Sequence, residues 1–143
     1  MINDITAGIS IKLHETFGKD YTIYVEDIPQ GFKKPCFLIN HVQTLNSRGY
    51  SNRYLRNNKF DIIYFPKEGY QKKSDIYSVS QELFLSLEYI FVLDNLARGT
   101  KMSTEIVDDA LHFFVNYDII VKKDTGEPEI HMEEINSNIQ TEV

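Results

Sequence analysis

Cys36 and His41 are the nearest pairing of a nucleophile with a base in this 143-residue chain. A thiol becomes a working nucleophile only when a base within hydrogen-bond reach takes its proton. If both residues lie on one strand, their odd separation sends the side chains to opposite faces, so they cannot share a proton. Cys36 therefore reads as a buried core thiol. The four histidines, His14, His41, His112 and His131, are not spaced to present two ligands one helical turn apart. His131 and Glu133 meet a cation only from an extended tail, where ligands are not preorganised. Asp108-Asp109 has the composition of a solvated two-residue turn rather than of an acid and base pair. Neither GxxxxGK nor GxGxxG occurs, and Gly99 in ARGTK stands alone. No catalytic, cofactor or metal site is expected, and no enzyme class.

The remaining chemistry is ionic. Residues 28–60 contain no Asp or Glu but six bases, Lys33, Lys34, Arg48, Arg53, Arg56 and Lys59, whereas residues 102–143 hold ten acids against Lys122 and Lys123. Such segregation gives a molecule with two faces of opposite sign, which favours ordered contact between copies or partners. Within the basic region, RGYSNRYLRNNKF (residues 48–60) interleaves Arg and Lys with Tyr50, Tyr54 and Phe60, a mixture that serves a single-stranded nucleic-acid-binding module. The competing reading is a basic strand extension that meets the acidic final third of another copy. A net charge of −6 argues against wholesale coating of nucleic acid.

One domain suffices at this length, burying roughly 70% of the unfolded surface. Hydrophobic residues at 42% and charged residues at 25% are ordinary for a soluble fold, so no membrane partner is expected. The nine Tyr and nine Phe suit sheets and contacts between subunits. A single cysteine permits no internal disulfide and points to a reducing compartment. The opening segment lacks a basic leader, so a secretory signal is not expected.

Ile2, Ile5, Ile9 and Leu13 recur at helical spacing, and Gly18 would end that helix. Residues 21–26 and 36–45 read as strands, with a turn over 46–49, and residues 53–65 as a long strand whose second half enters the core while its first half projects. Ser74 or Asp75 is expected to cap a second helix with Ile76, Val79, Leu83, Leu87 and Ile90 as its buried stripe. Met102, Thr104 and Ile106 pair across Asp108-Asp109 with the alternating run 111–121. The opposite face of that hairpin, His112, Phe114, Asn116, Asp118 and Ile120, is too apolar to be freely solvated, and either the same chain or another subunit covers it. The expectation is an α+β domain over residues 1–123, with a mainly antiparallel sheet and two principal helices on one face, followed by an acidic tail over 124–143 that is mobile or ordered only against a partner.

With these residues in view, the chain resembles the tail terminator proteins of phages of Gram-positive bacteria with contractile tails, and of related phage-tail-like bacteriocins. The resemblance rests on the MINDI opening, GFKKPCFLI from Gly31, RYLRNNKFDIIYFP from Arg53, LARGTKM from Leu96 and ALHFFVNYDI from Ala110, in that order along residues 1–123. It implies a structural virion protein assembled in the bacterial host cytoplasm. Copies would form a ring, a homohexamer in most such proteins, that caps the tail tube, stops its polymerisation and offers a docking surface to the head-tail connector protein. Further partners would be the sheath protein if the tail is contractile, and DNA only in passing through the lumen. Within the matching motifs, Arg53, Tyr54, Arg56, Arg98, Lys101 and Met102 are the expected contacts to neighbouring subunits or to the tube.

Overall fold

The computed structural model describes residues 1–69, 71–122 and 128–129. Helix α1 (Ile2–Phe17) leads through β1 (Thr22–Val25) to the long strands β2 (Cys36–Arg48) and β3 (Arg53–Phe65). Helix α2 (Lys72–Ser86) then precedes β4 (Tyr89–Val92), β5 (Asn95–Val107), β6 (Ala110–Lys122) and the short β7 (Pro128–Glu129). The strands form one sheet in the order β1-β2-β3-β6-β5-β4, with β7 also paired to β6. Every pairing is antiparallel except β1 with β2. The fold is thus α+β with both helices on one face of a mainly antiparallel sheet, as the sequence leads one to expect.

One apolar layer unites these elements. Ile5, Ile9 and Leu13 of α1 and Ile76, Val79 and Leu83 of α2 pack onto Phe37, Ile39, Phe60, Ile62, Tyr64, Phe113, Val115, Tyr117 and Ile119. Alternate residues of each strand supply this face because side chains along a strand point to opposite sides in turn. Phe17, Tyr21, Phe37 and Tyr64 close one end of the layer with ring centroids 4.9–6.2 Å apart.

Several local expectations shift. Residues 46–48 continue β2, and the turn lies beyond it, where the Gly49 amide donates to the Arg53 carbonyl at 2.9 Å and Ser51 takes a positive φ of 56°. Helix α2 begins at Lys72 after a left-handed Gln71, with no side-chain cap. Asp75 does not cap it; its carboxylate instead accepts from the Tyr64 hydroxyl at 2.5 Å. Ile90 belongs to β4 and not to the helix, which ends at Ser86. A hairpin absent from the sequence reading joins β4 to β5 through Leu93 and Asp94, both at positive φ. The misreading came from Leu83, Leu87 and Ile90, whose helical spacing runs on into a strand. The hairpin at Asp108-Asp109 lies where expected, with φ of 50° and 61°, the left-handed pair that a tight two-residue turn requires.

Two bulges share one level of the sheet. Val42 is the extra residue between the pairs His41↔Phe60 and Gln43↔Lys59, and Lys101 and Met102 together oppose the single residue Val115. Phe60 and Val115 are themselves paired, so both irregularities fall on one line across β2, β3, β6 and β5. Bulges bend a strand and sharpen its twist. The sheet accordingly curls along this line: residues 95–98 of β5, before Gly99, pair with β4 and not with β6, and β7 lies beside residues 120 and 121 of β6 instead.

Candidate functional site

Arg53, Tyr54 and Arg56 stand at the start of β3, opposite Lys122, Val121 and Ile119 of β6 and opposite the end of β2. All three are half-buried. The Arg56 Nε donates to Asn46 Oδ1 at 3.1 Å, which ties the guanidinium to the hairpin tip. Arg98, Lys101 and Met102 lie on the other side of β6. Arg98 is paired with Tyr89, its guanidinium 4.0 Å from the Glu88 carboxylate. Lys101 is exposed and sits in the bulge at φ 51°, a costly conformation for a residue with a side chain, while Met102 packs against the core. The six positions therefore form two groups flanking β6 rather than one patch.

Between these groups runs a polar band on the helix-free face. The Asn57 amide donates to Asp118 Oδ1 at 2.8 Å, and Lys59 Nζ stands 4.9 Å from the Phe114 ring centroid. His112 Nδ1 lies 2.8 Å from Asp61 Oδ2, and the second oxygen of that carboxylate is buried without a partner among the described residues. Burial pushes the Asp61 carboxyl above its ordinary range despite His112 and Lys59, and burial does the same to Asp118 despite Asn57 and Lys101. The apolar members of this face are covered in part by the chain itself. Leu38, Ile63 and Ala110 are buried with Tyr24, Ile28 and Phe65 against them, and Ile120 lies beside Tyr50, Tyr54 and Leu55. His112, Phe114, Asn116 and Asp118 stay half-exposed.

The other sequence candidates for chemistry are not assembled among the described residues. Cys36 is fully buried and its thiol is pushed up to about 11 by desolvation, so it is no nucleophile at neutral pH. His41 lies on the same strand but bonds to Thr44 Oγ1 at 2.7 Å. No group of three or more His, Cys, Asp or Glu among the described residues is placed to hold a metal ion, and His131 and Glu133 fall outside them. The basic and aromatic stretch 48–60 is split by strand alternation. Phe60 is wholly buried under the helices with Asn58, whereas Lys59 faces the other side, so Phe60 offers no stacking platform beside Lys59.

Sequence reasoning missed the Asp61–His112 pair and the unpaired margins of β2 and β5. The pair is visible only once β3 and β6 are known to be neighbours, and a margin is defined by a missing neighbour. Comparison with known proteins gives one family match: a model described as phage tail terminator protein matches residues 4–129. It therefore spans every strand, α2 and all but the first two residues of α1. No curated protein matches the chain.

Proposed function

Because the chain belongs to the phage tail terminator family, a family of structural tail proteins and not of enzymes, we propose that its copies close into a ring that caps the tail tube. The ring, of six copies, stops tube polymerisation and presents a docking surface for the head-tail connector. In a contractile particle it also holds the topmost sheath subunits. The observation that carries the reading is the family match over residues 4–129, which takes in nearly all of the described fold.

Physical features support it. A closed head-to-tail ring needs two different complementary patches on each subunit. The acid-free segment 28–60 and the acid-rich segment 102–143 supply opposite signs. A ring of net negative subunits also lets DNA pass its lumen without adhering, because phosphate binding needs clustered Lys and Arg. Arg53, Tyr54 and Arg56, with Arg98, Lys101 and Met102, contact neighbouring subunits or the tube from the two sides of β6. Residues 1–123 act as the domain, with Pro128–Glu129 added to its sheet, and the tail reading for the rest of 124–143 lies outside the described residues.

The test is a particle assembled without this chain. Tubes of uncontrolled length that do not join heads or sheath are expected, with normal length restored by the wild-type chain. The pair Arg53→Glu and Arg56→Glu should leave the melting temperature of the isolated chain nearly unchanged and reduce terminated tails. Particles of unaltered dimensions and full infectivity or killing in the chain's absence would overturn the reading.

A further inference from the structure

The sheet ends in two open margins. β1 pairs with β2 only as far as Ile39, so beyond it residues 40–48 have β3 on one side and no strand on the other among the described residues. On the far side, β4 pairs with β5 only as far as Arg98, leaving residues 103–107 with β6 alone among the described residues. Native sheets protect such margins with proline, inward charges or a covering element, because unpaired amides and carbonyls capture other strands. Here neither stretch contains proline, and Arg48 is the one Lys or Arg within residues 40–48. Both margins instead expose apolar side chains: Val42 at 50% and Leu45 at 54% on β2, Ile106 at 39% and Val107 at 42% on β5.

We propose that the margin of β2 in one copy adds to the margin of β5 in the next, so that the sheet continues from subunit to subunit around the ring. The inference rests on the ring reading above and specifies its contact. Strand direction supports it. β2 is antiparallel to β3, β3 to β6 and β6 to β5, so the two outer strands of this set run in opposite senses. A neighbour related by rotation about the ring axis keeps its orientation, and its β2 then lies antiparallel to β5, as in the rest of the sheet.

Charge supports the same choice. Arg48 on the β2 margin, with Arg56 and Lys59 on the strand behind it, would meet Glu105, Asp108 and Asp109 at the β5 margin. Pairing β2 with β2 of a second copy would set base against base. The position of the margins fits a closed wall. The open part of β2 lies toward the turn at 49–52 and the open part of β5 toward the turn at 108–109, at opposite ends of the strands. Joining them staggers each subunit by about five residues, roughly 17 Å along the strands. A constant stagger with tilted strands is the geometry by which a sheet closes on itself. Leu45 and Val107 come together on the helix-free face, since Leu45 is opposite Asn57 and Val107 opposite Ala110.

Amide hydrogen exchange on the full chain, free and bound to isolated tail tubes of its own particle, tests this. Amides of residues 40–48 and 103–107 that face away from β3 and β6 should slow by about tenfold or more on assembly. Caps or rings in which both margins still exchange as in the free chain would overturn the contact and leave the ring standing, whereas absence of any cap or ring would overturn both. A second measurement uses Leu45→Glu and Val107→Lys, exposed positions where the new charge repels the opposing margin. Each variant alone should fail to form rings, and an equimolar mixture should restore them, because unaltered contacts then alternate with contacts in which the new carboxylate at 45 faces the new ammonium at 107. Leu45→Glu blocked while Val107→Lys self-associates would instead show β2 pairing with β2, and the proposal would fall.

Discussion

The two halves of β2 differ in burial from one end of the strand to the other. Cys36, Phe37, Leu38 and Ile39 are all buried, whereas residues 41–48 are all exposed, on both faces of the strand. The change falls next to the bulge at Val42 and the last residue of β1. One half is flanked by β1 and backed by α1; the other has lost both. The lesson is that a strand can be continuous in hydrogen bonding with β3 while only part of it belongs to the core. The part outside is held in shape by its hairpin and by a few polar bonds, such as Thr44 Oγ1 to Asn58 Oδ1 at 2.9 Å and Arg56 to Asn46. Burial stabilises the first half, and the second half is the margin proposed above for contact between copies.

The sharpest way to break this comparison is truncation on each side of the bulge. Phe37→Ala removes a wholly buried ring from the core half of β2 and should cost about 3–5 kcal/mol, whereas Leu45→Ala should stay within about 0.5 kcal/mol in urea unfolding of the free chain. Similar losses at the two sites would mean that the projecting half is part of the folding core.

A smaller effect is expected at the helix layer. A Cβ built on Gly8 of α1 would come 2.3 Å from the Phe91 carbonyl oxygen of β4. Gly8→Ala should therefore push α1 off the sheet and cost about 2 kcal/mol, read as a lower melting temperature. An unchanged melting temperature would show that α1 is seated more loosely than its buried face implies.

The smallest effect concerns the polar band. Asp61 has a folded pKa raised by burial, so its contribution to stability is full below its ordinary value of 3.8 and is lost as pH rises through the raised folded value. Asp61→Asn removes the ionised form. The variant should gain on the wild type as pH goes from 4 to 7, by about 1 kcal/mol or less, because His112 stabilises the carboxylate in part. Chemical denaturation at the two pH values measures it, and a variant that loses ground at pH 7 would show that the ion pair outweighs the burial.

Legibility in the sequence followed periodicity. The α1 stripe, the alternation of β6, the Asp108-Asp109 turn and the full span of β3 were readable because each is a local pattern several residues long. β4 was not, since Tyr89–Val92 is short and its Ile90 completed a helical spacing begun by Leu83 and Leu87. The left-handed Gln71 start of α2 gave no signal, because no side chain caps it. Of the six candidate contact residues, sequence supplied the positions but not their grouping. Arg53, Tyr54 and Arg56 are separated from Arg98, Lys101 and Met102 by β6, and strand order cannot be read from either motif alone.

Sequence by itself determined the element types apart from β4, the apolar layer, the absence of a usable nucleophile at Cys36 and the segregation of charge, because these depend on residue identity and short spacing. Tertiary structure decided which margins stay open. An edge exists only where a neighbouring strand stops, and the stopping points, Ile39 for β1 and Arg98 for β4, were set by the packing of α1 and by the curl through the bulges at Val42 and Lys101.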